Sequence, residues 1–311
     1  MLAVWALGAC TGDDAPPSSP DDTGTTGTTG PTTTGPTTTS PTTTSPTTTG
    51  ADTTGSTGPD PSTSTSGSSD DAPTSSSSEG TGDPPAARGT IIPLYTYPTD
   101  PTWATVAAEK QAHPTVDVVA IINPGNGPGG AFDPNYDAGI TALADAGVVV
   151  IGYVYTSYGA RPSVDVEADI TTYVERYPQL DGVMFDEMSN VPGDETYYAD
   201  LSAFAAGLGL GLTVGNPGAS IPESFVDTVG AMFVYESAGL PDPNGFDAWL
   251  DGYDPGEFAI IPHSVRSLDP GFVSAALAHV GWIYVTDDVL PNPWDSLPSY
   301  FGQLMDELEA G

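Results

Sequence analysis

The stretch Asp181-Gly182-Val183-Met184-Phe185-Asp186-Glu187 reads as a short apolar strand that runs straight into two adjacent carboxylates. Val183, Met184 and Phe185 form a continuous apolar run rather than an alternation, as expected of a strand covered on both faces. The two acids therefore stand where the strand opens into a loop. A second strand, Ala231-Met232-Phe233-Val234-Tyr235, ends the same way at Glu236.

Outward from these two strands, short β-branched or aromatic runs alternate with longer amphipathic stretches. Strands are expected over 91–95, 116–122, 148–155, 182–185, 211–214, 231–235, 258–261 and 282–285. Helices are expected over 102–112, 136–146, 164–177, 195–208, 222–229, 244–251, 270–279 and 296–309. Asp133-Pro134, Pro162-Ser163, Ile221-Pro222 and Asp269-Pro270 each put Pro at a helix start, where its missing N–H is harmless. Eight βα units predict an α/β fold, a compact (β/α)8 TIM barrel preceded by a disordered Thr/Ser/Pro-rich tail. A doubly wound open sheet normally carries a Gly-rich phosphate loop after its first strand, and Leu94-Tyr95-Thr96-Tyr97-Pro98 is nothing of that kind. Asn126-Gly127-Pro128-Gly129-Gly130 lacks the phosphate-loop spacings and reads as a turn-forming loop.

The 311 residues divide into three segments. Residues 89–311 form the barrel. Residues 11–88 are almost entirely Thr, Ser, Pro, Gly and Asp, too poor in apolar surface to offset chain entropy, and are expected as a disordered spacer open to O-glycosylation. Residues 1–10 are apolar, too short to cross a bilayer, and end Leu7-Gly8-Ala9-Cys10. That ending is similar to a bacterial lipobox, which makes Cys10 the expected lipidation site and the membrane a partner only through a lipid anchor. No Lys or Arg precedes Cys10, so a basic start is missing, and the alternative is a clipped ordinary signal peptide with an incidental cysteine. Cys10 is the sole cysteine, so no intrachain disulfide forms. The expected location is extracellular or on a bacterial cell surface.

The net charge is −36, from 5 basic and 41 acidic residues. Nucleic acid and anionic lipid headgroups are therefore poor partners, and no nucleic-acid partner is expected. A cationic amino-sugar polymer would be attracted, although solubility alone explains the same acidity. The three histidines are scattered, with no HExxH, and neither a metal nor a cofactor is expected. His113 and His279 read as helix-surface residues. No GxSxG motif is present, which removes a serine nucleophile of that type. The barrel is expected to act as a monomer.

In a barrel of this kind the working residues lie on the loops after the strands. Here those positions hold Tyr95, Tyr97, Asn123, Tyr153, Tyr155, Tyr158, Asp186, Glu187, Asn216, Tyr235, Glu236, His263, Thr286, Asp287 and Asp288. A single Asp at a strand end is ordinarily a turn residue or cap. Acids at two strand ends, Asp186 and Glu187 on one and Glu236 on the other, fit the paired carboxylates of glycosidic-bond hydrolysis. Rings stack on sugar C–H faces and amides bind hydroxyls, so Tyr95, Asn123, Tyr153, Tyr155, Asn216, Tyr235, His263 and Asp287 are the candidate substrate-binding residues. Asn123-Pro124-Gly125 and Asn216-Pro217-Gly218 repeat one tripeptide, in which Pro-Gly suits a turn and the Asn is free to point inward.

Five blocks also carry a resemblance: 91–95, 121–129, 152–156, 182–187 and Tyr235-Glu236. Over 90–311 the chain resembles spherulation-specific family 4, the spherulin-4-like proteins grouped as glycoside hydrolase family 135. The resemblance implies a (β/α)8 barrel and endo-hydrolysis of an α-1,4-linked N-acetylgalactosamine or galactosamine polysaccharide, with Asp186, Glu187 and Glu236 at the cleft carboxylates. The loop Pro124-Gly125-Asn126-Gly127 is close to the family pattern without being identical, and the lipobox and Thr-rich spacer depart from it. On this reading Glu236 is the general acid/base, Asp186 the nucleophile, and Glu187 orients the sugar. Inversion and attack by a substrate acetamido group remain open, as does a non-catalytic polysaccharide-binding or adhesion module.

Overall fold

The computed structural model describes residues 88–311. Residues 1–10, with Cys10 as the expected lipidation site, and the expected spacer before Arg88 lie outside the described residues. Eight parallel strands close into a barrel in chain order. They are β1 (Gly89–Leu94), β2 (Asp117–Ile122), β3 (Val149–Tyr155), β4 (Gly182–Asp186), β5 (Leu212–Asn216), β6 (Ala231–Tyr235), β7 (Phe258–Ile260) and β8 (Trp282–Ile283). Gly89 pairs with Trp282 and joins β1 to β8. Six helices lie outside: α1 (Pro101–Ala112), α2 (Pro134–Asp145), α3 (Ser163–Arg176), α4 (Glu195–Gly207), α5 (Pro270–Ala276) and α6 (Phe301–Ala310). The described residues form a (β/α)8 barrel with two of its helices reduced.

Asp-Pro pairs set most of the turns. Asp100, Asp133, Asp242, Asp254 and Asp269 each precede a Pro and accept the backbone N–H two residues on, at 2.8 to 3.0 Å. The Pro fixes φ for the first helical turn while the carboxylate satisfies one of its free donors.

The helices expected over 222–229 and 244–251 are instead single 3-10 turns, Glu223–Phe225, Pro243–Gly245 and Leu250–Gly252. In the first, Asp227 takes a left-handed φ of 66° and the Thr228 hydroxyl donates to the Phe225 carbonyl, so the turn closes on itself. In the second, Gly245 and Gly252 end each turn, where glycine costs a helix about 1 kcal/mol against alanine. The last helix starts at Phe301 rather than 296, because Pro298 disfavours helical geometry in the residue before it.

One histidine differs from the surface expectation and the other, His279, keeps to it. His113 caps α1, is buried, and its Nε2 lies 3.1 Å from Asp306 on α6, tying the first helix to the last. His279 Nδ1 pairs with Asp251 at 2.7 Å.

Glycine decides one contact that matters for the site. Gly152 on β3 faces α3, and a Cβ there would sit 2.8 Å from the Tyr173 ring. Without it, Tyr173 lies flat on the strand and its hydroxyl donates to the Tyr153 carbonyl at 3.0 Å. The opposite face of β3 at Tyr153 is thereby held toward the barrel interior.

Candidate active site

Side chains alternate across a strand, and partners in a parallel ladder face the same way. Tyr153 pairs with Met184, Tyr155 with Asp186, and Asp186 with Asn216. Phe185 takes the outer face and packs on Tyr198 of α4, so its neighbour Asp186 faces inward. Tyr153 Oη donates to Asp186 Oδ2 at 2.8 Å, and Asn216 Nδ2 donates to Asp186 Oδ1 at 3.1 Å.

Glu236 reaches this group through an irregularity. Met232 pairs with Phe258 and Phe233 with Ala259, but Tyr235, not Val234, pairs with Ile260. One extra residue in β6 forms a bulge, a feature that re-aims side chains beside active sites. Regular alternation would have turned Tyr235 inward and Glu236 outward. The bulge puts Tyr235 on the helix-facing side, with its hydroxyl on the Gly239 carbonyl at 3.0 Å, and turns Glu236 inward. There Glu236 Oε2 accepts from Asn216 Nδ2 at 2.8 Å.

The two bridged acids are both raised. Burial pushes Asp186 up to about 6, against the hydrogen bonds from Tyr153, the Glu187 backbone and Asn216, with the Glu187 charge adding to the rise. Burial pushes Glu236 up to about 7; Asn216 opposes the rise and the Asp186 charge adds to it. Burial, then the Asp186 charge, holds the Tyr153 and Tyr95 phenols well above their usual value, which keeps both as donors. The Tyr95 ring meets Tyr153 edge-on at 5.9 Å.

Glu187 stands beside the pair in a left-handed conformation, φ 51°, and its carbonyl accepts from Tyr158 N and from Thr156 Oγ1 at 2.8 Å. Ser157 and Tyr158 are left-handed too, at 49° and 55°. Each such non-glycine residue costs about 1 to 2 kcal/mol and persists only where its surroundings hold it. The tight turn presents Tyr158, 53% exposed, beside the cleft. Burial, then the charges of Glu187, Asp186 and Glu236, pushes its phenol up. Tyr158 thus joins the site; it stood among the rim positions but not among the substrate-binding candidates. Its only sequence signal is the Tyr153-x-Tyr155-x-x-Tyr158 spacing, since nothing in Ser157-Tyr158 announces a left-handed turn.

The remaining candidates divide. Asn123 Oδ1 accepts from Gly127 N at 3.0 Å and organises its own loop. The Tyr155 ring lies under the Arg161 guanidinium at 4.2 Å. His263 is buried edge-on to Trp294 with Nδ1 3.0 Å from Ser264 Oγ, and burial lowers its pKa. Asp287 lies half-buried beyond β8, and burial together with the Asp287 and Asp288 charges raises the Tyr300 phenol.

The structure thus brings Tyr95, Tyr153, Asp186, Glu187, Asn216 and Glu236 together. Residues 89–308, nearly all of the described part, match the sequence model of spherulation-specific family 4. The chain belongs to that family. Within the family's reach it is 32% identical over 228 residues to spherulin-4 of Physarum polycephalum, a match covering 68% of this chain and 68% of that protein. Among solved structures it is similar to Aspergillus clavatus Sph3, crystallised in complex with GalNAc. The TM-score is 0.65 at 25% identity, over 72% of this chain and 98% of that one. The acids of this spherulation-family barrel stand on β4 and β6, with the amide of β5 between them.

Proposed function

We propose that this protein is an endo-acting glycoside hydrolase of an amino-sugar polysaccharide of the α-1,4-linked N-acetylgalactosamine or galactosamine type. The observation that carries the reading is the pair Asp186 and Glu236, half-buried, both raised and joined by one amide nitrogen. Neighbouring carboxyls raised toward neutral pH are suited to exchange protons with a substrate. The GalNAc bound to Sph3 supports an amino sugar as the ligand class.

One nitrogen reaching both oxygens keeps them within about 6 Å of each other, nearer the roughly 5 to 5.5 Å of retaining glycosidases than the roughly 6.5 to 9.5 Å of inverting ones. In the mechanism we infer, Glu236 protonates the glycosidic oxygen as Asp186 attacks the anomeric carbon. Water then attacks the glycosyl-enzyme while Glu236 takes its proton. Asp186 must be charged, above about 6, and Glu236 protonated, below about 7. A second route has its own support: both Asp186 oxygens already accept hydrogen bonds, which suits an acid that orients a substrate acetamido group for internal attack. The barrel would work outside the cell, carried on the 11–88 spacer and anchored by lipid on Cys10.

Reducing-end release by the full chain, from acetylated and from deacetylated α-1,4-galactosamine polymers, tests the reading beside Glu236→Gln. Cleavage by wild type alone is expected. Cleavage of both polymers favours Asp186 as nucleophile, and cleavage of the acetylated one alone favours the acetamido route. Binding without cleavage by wild type would replace the hydrolase with an adhesion module.

A further inference from the structure

One carboxamide serves both acids, and its orientation is decided by the backbone. Asn216 Oδ1 accepts the Gly218 N–H at 3.0 Å, so the oxygen is committed to the turn after β5. The two hydrogens of Nδ2 are left for Asp186 Oδ1 at 3.1 Å and Glu236 Oε2 at 2.8 Å. Turned over, the amide would set an oxygen against two carboxyl oxygens and orphan the Gly218 N–H. The other Asn-Pro-Gly in the barrel is an internal control. Asn123 Oδ1 also accepts from its own loop, at Gly127 N four residues on, and among the described residues no carboxylate accepts from its nitrogen. The turn and the bridge are therefore separable properties of the same residue type.

We propose that Asn216 is a positioning residue, a two-sided clamp that fixes the separation of Asp186 and Glu236 and favours the charged form of each, rather than a contact for the sugar. Asp186 receives donors from both Tyr153 and Asn216, while Glu236 receives only Asn216. The acid with more donors is the one held as carboxylate. As the proton leaves Glu236 during turnover, the same nitrogen is already in place to meet the new charge. The other titratable groups facing the pair are Tyr95, Tyr153, Tyr158 and Glu187, and burial keeps the three phenols protonated. The inference rests on the hydrolase reading for its kinetic consequence alone.

Asn216→Ser separates clamp from turn, because a Ser hydroxyl still accepts the Gly218 N–H while its short, neutral side chain no longer donates to the two acids. With the full chain, 13C NMR of the carboxyl groups should show Asp186 and Glu236 both titrating about one pH unit or more higher in the variant. The pH profile of kcat should follow, with at least tenfold less turnover at pH 6 and little change in KM. A turn role alone predicts titrations and profile superimposable on wild type, and that result overturns the clamp. Where the variant does not fold, wild type decides: with 15N-labelled asparagine, the Asn216 side-chain NH2 should shift in two steps as the two acids titrate. An amide that shifts with neither acid refutes the proposal. Two steps in a protein that cuts no polymer would keep the clamp and remove the hydrolase.

Discussion

Glu236→Gln should make the folded protein more stable in mild alkali while abolishing its chemistry. Burial raises Glu236 from the usual 4.5 to about 7, so the native state holds its proton more tightly than the unfolded chain does. Such a group costs nothing below about pH 4.5, where it is protonated in both states. It destabilises the native state progressively as pH rises through about 7, and the full cost at pH 8 is up to about 3 kcal/mol. Gln is the same size, carries no charge, and its oxygen still accepts from Asn216, so the variant escapes the cost without losing the bridge. We expect a gain of about 1 to 3 kcal/mol at pH 8 and none at pH 4, with about 2 to 4 °C in Tm for each kcal/mol in a domain of this size. Urea unfolding of the full chain at both pH values, followed by tryptophan fluorescence, reads this directly. Equal stability of variant and wild type at pH 8, or the same gain at pH 4, would show that Glu236 is not a buried charge and would undo the argument for its role.

The hydrolase should show a bell-shaped pH profile centred between about 6 and 7, since it needs Asp186 ionised and Glu236 protonated; a flat profile from pH 5 to 9 would contradict the assignment. Tyr153→Phe removes the hydroxyl that donates to Asp186 Oδ2, a bond to a charged group worth about 1.5 to 3 kcal/mol, so the acidic limb should move up until the bell narrows onto the alkaline limb and turnover at pH 6 falls about tenfold. An unmoved acidic limb would mean that Asp186 does not control it. Gly152→Ala drives a methyl into the Tyr173 ring and should cost about 1 to 3 kcal/mol in urea unfolding, with activity falling as Tyr153 loses its support.

Much of this architecture is written in local pattern. The apolar runs at 182–185 and 231–235 end in acids, and both are barrel strands within a residue of where pattern puts them. Asp-Pro at 133 and 269 announces a helix start because cap and constrained φ are properties of two neighbouring residues. The acids' places at the ends of β4 and β6 follow from the same kind of reading. What local pattern lacks is register. Phe233-Val234-Tyr235 looks like an ordinary strand, and only its pairing with β7 shows the bulge that sends Tyr235 outward and Glu236 in. The helices lost after β5 and β6, the buried His113 and the left-handed turn at Tyr158 are likewise outcomes of packing. The raised acids are the clearest case. Residue type put two carboxyls on one rim, but their protonation depends on burial, on Tyr153 from one strand and on Asn216 from another. Those neighbours are 33 and 20 residues away along the chain, and only the closed barrel brings them within hydrogen-bond reach.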